Sequence, residues 1–235
     1  VEVLQLNMWF FSGDSVGVLA GIPVGIKDVT QTEGMRTTFG SLLYADHVPE
    51  VDALVVQRLK TAGAVILGKT NTPEFAAGAN TFNEVFGATR NPWNTDLSVG
   101  GSTGGGAAGL ATGMIALAEG TDLGGSLRIP ASFCGVVGLR PSPGMVPTWP
   151  NDFLWDDISV TGCMGRTALD VALMLEAVAG PSRIAPLCQP IHGRDFVQVV
   201  RRGMPKGSRL AFCPDIAGIG VDEEIQEVCR VATEE

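Results

Sequence analysis

The stretch Gly100–Pro130, GGSTGGGAAGLATGMIALAEGTDLGGSLRIP, decides how the chain is read. It contains two glycine-rich turns, each built around a serine, Ser102 and Ser126. Glycine admits positive φ and lets backbone N–H groups face a ligand. Two such turns, each holding a hydroxyl, predict an oxyanion site with a nucleophile in it. Between them, Ala107, Ala108, Leu110 and Ala111 predict a helix with almost no polar surface, hence buried and close to its neighbours. Met114–Ala118 then predicts a strand that delivers the second turn.

Working outward, Ile22–Ile26 predicts a buried strand that ends in the polar pair Lys27-Asp28. Asp52 is placed to cap a helix carrying Leu54, Val55, Val56 and Leu59, with Gly63 at its end. Ala64–Leu67 predicts the next strand, and Val136–Leu139 another. Residues 29–50 read as turns with no clear period, and residues 74–99 as loop and short helix. Thr167 and Asp170 form a capping box for a helix through Ala179, closed by Gly180. Arg209–Cys213 predicts a last short strand, and Asp222 caps a final amphipathic helix. The apolar run around Trp9-Phe10-Phe11 receives no element. Continuous apolar strands separated by helices predict an α/β fold with a mixed, mainly parallel twisted sheet covered by helices on both faces.

Composition narrows the function. Of 235 residues, 45% are apolar and 17% charged, which predicts a substantial buried core. The net charge of −9 disfavours a nucleic-acid backbone as partner, and the cluster Arg201, Arg202, Lys206 and Arg209 is too sparse to reverse that. No apolar run reaches the roughly 18 residues of a membrane span, and the N-terminal residues lack the marks of a signal peptide. The five cysteines are odd in number, scattered and never paired as C-x-x-C. They predict neither zinc nor a disulfide framework but reduced core thiols in a cytoplasmic protein.

Familiar catalytic kits are missing. His47 and His192 are the two histidines, both in loop-like contexts, so a Ser-His-Asp triad finds no support. A Walker A loop, a dinucleotide fingerprint and Ser-x-x-Lys are absent. The remaining base for a loop serine is a lysine whose ammonium form is disfavoured by burial. Lys27 and Lys69 both end apolar strands, and the residues alone do not rank them.

Taken together, GIPVGIKD (Gly21–Asp28), GKTNTPEFA (Gly68–Ala76), VGGSTGGGAAGLA (Val99–Ala111) and GTDLGGSLRIPASFCGVVGLRPSPGMVP (Gly120–Pro147) resemble the amidase signature family. The resemblance implies Lys27 as base, Ser102 as proton relay after a cis peptide bond, and Ser126 as nucleophile. It implies an oxyanion hole from the backbone N–H groups of Leu123, Gly124, Gly125 and Ser126. The implied activity is hydrolysis of a carboxylic amide, or a related aryl-amide, lactam or carbamate, through an acyl-enzyme on Ser126. No cofactor or metal is expected; a small-molecule amide is the expected partner, and a homodimer is compatible with the reading. Two alternatives stand beside it: the glutaminase component of a tRNA-dependent amidotransferase, and a non-catalytic fragment of the fold.

Thr103 departs from the family pattern, which has a second serine there. The signature core covers about residues 20–180 of an expected single domain, 1–235, with the family's C-terminal part missing. Asp122 and Arg128 are expected to brace the nucleophile loop. Trp149, Phe153 and Trp155 are read as either a pocket wall or a separate apolar cluster.

Overall fold

The computed structural model describes residues 17–191 and 195–234. The apolar run at Trp9–Phe11 and His192 therefore lie outside the described residues. In chain order the elements that matter are β1 (Pro23–Lys27), α1 (Leu54–Thr61), β2 (Val65–Thr70), a short hairpin of β3 (Phe82–Asn83) and β4 (Gly87–Ala88), and α2 (Gly104–Ala111). They continue with β5 (Leu117–Asp122), α3 (Arg128–Cys134), β6 (Val137–Leu139), β7 (Val160–Gly165), α4 (Ala168–Val178) and α5 (Phe196–Arg202).

The main sheet runs in the order β2-β1-β5-β7-β6. β1 pairs in parallel with β2 and with β5, whereas β7 is antiparallel to both β5 and β6. Four strands thus point one way and β7 the other, the mixed, mainly parallel sheet that the sequence predicts. Strand alternation feeds two cores. On one face Val24, Ile26, Leu117 and Cys163 pack with Val56 and Leu59 of α1 and Met174 and Leu175 of α4. On the other, Ala118 and Met164 pack with Leu110 of α2 and Ala131 of α3.

α2 lies close to the chain that follows β2. A Cβ on Gly105 would sit 2.2 Å from the Asn71 nitrogen, so no other residue fits there without moving backbone. The capping box at the start of α4 forms as expected, with Thr167 and Asp170 each accepting the other's N–H.

Several local expectations give way to tertiary structure. β5 starts at Leu117 and runs to Asp122 rather than ending at Ala118, because β7 supplies a ladder partner all the way to Val160. β2 likewise extends past Leu67 to Thr70, carried by its pairing with β1. Asp52 does not cap α1, whose N-cap is Ala53 without a side-chain bond. Its carboxylate instead accepts the Glu33 N–H at 2.8 Å and the Lys60 ammonium at 2.8 Å.

Residues 202–234 form a compact unit of their own. It holds a 3-10 turn at Ile216–Gly218 and α6 (Glu223–Glu234), where Asp222 accepts the Glu224 N–H at 3.0 Å. Arg209–Cys213 is not a strand: these residues are exposed and have no ladder partner, which a short apolar run requires. Cys134 and Cys163 are buried as expected of core thiols, but Cys213 and Cys229 are exposed.

Candidate active site

Lys27 ends β1 and is fully buried. Its Nζ donates to Ser102 Oγ at 2.6 Å and to Thr121 Oγ1 at 2.9 Å. Three elements meet here: the end of β1, the loop leading into α2, and β5. Burial lowers the Lys27 amine to about 7, against the opposing pull of Glu119 and Asp122. A lysine so placed holds a substantial uncharged fraction near neutral pH and can accept a proton.

The two lysines left unranked by sequence separate by position. Lys69 is also lowered by burial, to about 8, against Glu119, Asp28 and Asp52. Its amine goes to the Thr30 carbonyl and to Thr32 Oγ1, the latter at 3.0 Å, instead of to a serine.

The Gly101–Ser102 peptide bond is cis. Ser102 and Thr103 are fully buried, and Ser126 is half-buried in the turn after β5. The Thr103 N–H donates to the Ser126 carbonyl at 3.1 Å, which ties the two serine turns together. Gly120 makes room for the methyl group that distinguishes Thr103 from serine. A Cβ on that glycine would lie 2.5 Å from Thr103 Cγ2.

Asp122 braces the second turn, as expected. Its buried carboxylate accepts the N–H of Gly125 at 2.8 Å and of Leu127 at 3.1 Å, and both Nε (3.0 Å) and a terminal nitrogen (3.1 Å) of Arg128. Arg140 adds a guanidinium to the Asp122 carbonyl. Burial pushes the Asp122 carboxyl up, but the bonds from Arg128, Gly125 and Leu127 outweigh it and hold it at about 2. Its stabilising effect is therefore complete above about pH 4, the ordinary carboxyl value, and is lost as pH falls toward 2. Asp122→Ala strands two buried N–H groups and should cost roughly 3 kcal/mol. Thermal unfolding should show a Tm lower by roughly 6–12 °C, and an unchanged Tm would contradict the bracing role.

The four amides expected at an oxyanion hole do not all stand free. The Gly125 N–H is taken by Asp122, with Gly125 at φ +120, a conformation open to glycine. The N–H groups of Leu123, Gly124 and Ser126 have no backbone acceptor among the described residues. Gly124 borders open space: a Cβ there would meet nothing within 4 Å.

A cavity of about 510 Å³ has in its wall Thr121, whose hydroxyl accepts from the Lys27 amine. Phe39, Tyr44, Phe75 and Trp149 line it, and the Phe39 and Tyr44 rings meet edge to face at 5.1 Å. The three aromatics considered together in the sequence thus divide. Trp149 belongs to the cavity wall, whereas Phe153 and Trp155 are 76% and 74% exposed. His47 also lines the cavity. Thr121 and Glu119 went unnoticed in the sequence. The only local mark is that Glu119 directly follows the apolar run Ile115–Ala118.

The described residues hold no group of His, Cys, Asp and Glu arranged to bind a metal ion. Among them no helix is long and apolar enough to cross a membrane.

A family model described as Amidase matches residues 9–235. The chain belongs to the amidase family. Its amidase-family relatives include an acylamidase of Rhodococcus erythropolis, 42% identical over 229 residues that cover 97% of this chain and 48% of that protein. The A-type component of the glutamyl-tRNA(Gln) amidotransferase of Moorella thermoacetica is 41% identical over 220 residues, covering 94% of this chain and 45% of that one. Among solved amidase-family structures, a bacterial aryl acylamidase superposes with a TM-score of 0.78 at 34% identity, covering 84% of this chain and 41% of that one. The chain spans about half the length of the curated relatives it matches.

Proposed function

We propose that the protein is a serine hydrolase that cleaves a carboxylic amide C–N bond through an acyl-enzyme on Ser126. The observation that carries this reading is the 2.6 Å approach of the buried Lys27 amine to Ser102 Oγ. Uncharged Lys27 takes a proton from Ser102 as Ser102 takes one from Ser126, whose oxygen attacks the carbonyl carbon. The resulting oxyanion rests on the N–H groups of Leu123, Gly124 and Ser126, with Gly125 held by Asp122 to keep the turn in shape. Ser102 gives its proton to the leaving nitrogen as the C–N bond breaks and takes one back from Lys27, which is again uncharged. Water then hydrolyses the ester, freeing the acid and restoring the Ser126 hydroxyl.

The experiment is covalent labelling of the protein, at its natural length, with a fluorophosphonate. The Ser126 oxygen forms the bond to phosphorus, fluoride leaves, and the proton passes through Ser102 to Lys27. Mass spectrometry should find the adduct on the peptide that contains Ser126. Absence of labelling would favour the non-catalytic reading, and an adduct elsewhere would assign the nucleophile to another residue.

A second reading has support in the 41% identity to the Moorella thermoacetica amidotransferase component, close to the 42% identity to the acylamidase. In that case ammonia release from glutamine should depend on added partner proteins.

A further inference from the structure

β1 and β5 pair at Val24–Leu117 and Gly25–Ala118, and no pairing carries this ladder on to Lys27. The Lys27 N–H goes to a side chain instead, Glu119 Oε2, at 3.1 Å. The other oxygen of Glu119 accepts the Thr30 hydroxyl at 2.9 Å. Thr30 in turn donates its N–H to the Lys27 carbonyl at 2.9 Å, closing a turn at the end of the strand. The Thr30 carbonyl accepts the Lys69 ammonium reaching over from β2. One carboxyl group therefore grips both ends of the turn that carries the base, and Lys69 clamps the same turn from the neighbouring strand.

Glu119 is wholly buried and sits opposite Cys163 on β7, on a face that also carries Leu117. Packing alone would favour an apolar residue there, since burying a carboxyl group costs free energy unless it is hydrogen-bonded. Both of its oxygens are bonded, and both bonds go to the Lys27–Thr30 turn.

We propose that Glu119 is a positioning residue: by holding the Lys27 N–H and the Thr30 hydroxyl, it fixes the end of β1 so that the Lys27 amine meets Ser102. The inference rests on the reading of Lys27 as base and Ser126 as nucleophile. Its test is the concentration dependence of fluorophosphonate labelling, which separates the limiting rate from the half-saturating concentration. Circular dichroism follows folding in parallel.

Glu119→Ala should lower the limiting rate about tenfold or more while the half-saturating concentration stays the same, because a displacement of about 1 Å suffices for such a loss. Glu119→Gln keeps a carbonyl oxygen for the Lys27 N–H and should stay within about threefold of wild type. If Glu119→Ala does not fold, Thr30→Val, which removes a single hydroxyl, decides the matter with an expected loss of about threefold or more. A wild-type limiting rate in the folded alanine variant, or in Thr30→Val where that variant decides, overturns the proposal. So does a Glu119→Gln variant as slow as Glu119→Ala. Wild-type protein that takes no label at Ser126 overturns the underlying reading instead, and is recognised before any variant is made.

Discussion

Ser126→Ala should abolish fluorophosphonate labelling and lower amide turnover by about 10⁶. Ser102 is fully buried and its oxygen is engaged by Lys27 at 2.6 Å, which leaves it behind the attack position rather than in it. Ser102→Ala should behave differently. The nucleophile remains, but its path to the base is cut, and a loss of about 10²–10⁴ follows from removing assisted proton transfer. The burst of p-nitrophenol released from p-nitrophenyl acetate reads both variants. It should vanish in Ser126→Ala and become slow in Ser102→Ala. A full burst from the Ser126→Ala variant would assign the acyl group to another residue.

The second large effect concerns protons. With the Lys27 amine at about 7, the labelling rate should fall about tenfold for each pH unit below 7 and level off above it. The direction follows from burial, which disfavours the ammonium and makes the uncharged amine the abundant form on the alkaline side. A solvated lysine would place the same limb near pH 10. Lys27→Met keeps an unbranched apolar stem as far as the ε position but has no amine to exchange a proton. It should cost about 10²–10⁴ in rate and remove the limb. A limb at the same pH in the methionine variant would mean that another group is the base.

The parts of the site legible in the sequence are those encoded locally. Glycine spacing marks the turns of Ser102 and Ser126, and the apolar run of β1 marks Lys27 as a strand-end residue. What separates Lys27 from Lys69 is not local. Burial acts on both amines in the same sense, and only the fold sends one to Ser102 and the other to Thr30 and Thr32. Glu119 and Thr121 were illegible for a related reason. Their strand is completed by β7, which lies some way downstream, so the polar half of β5 has no apolar signal of its own. α3 was equally hidden, because Pro130 looks like a helix breaker. It falls in the first turn of α3, where the missing N–H costs no helical bond. Asp52 shows the reverse error: a good cap by position that serves the Glu33 N–H and Lys60 instead.

The bond from the Thr103 amide to the Ser126 carbonyl closes the intervening chain into a ring. A ring of fixed circumference accepts extra residues only where its backbone can bulge outward without loosening the knot. Thr112, Gly113 and Met114, all solvent-facing between α2 and β5, offer such a place away from the two serine turns. An epitope tag or fluorophore loop grafted there would leave the clasp between the serine turns shut, whereas the same graft beside Gly105 or Gly120 would spring it.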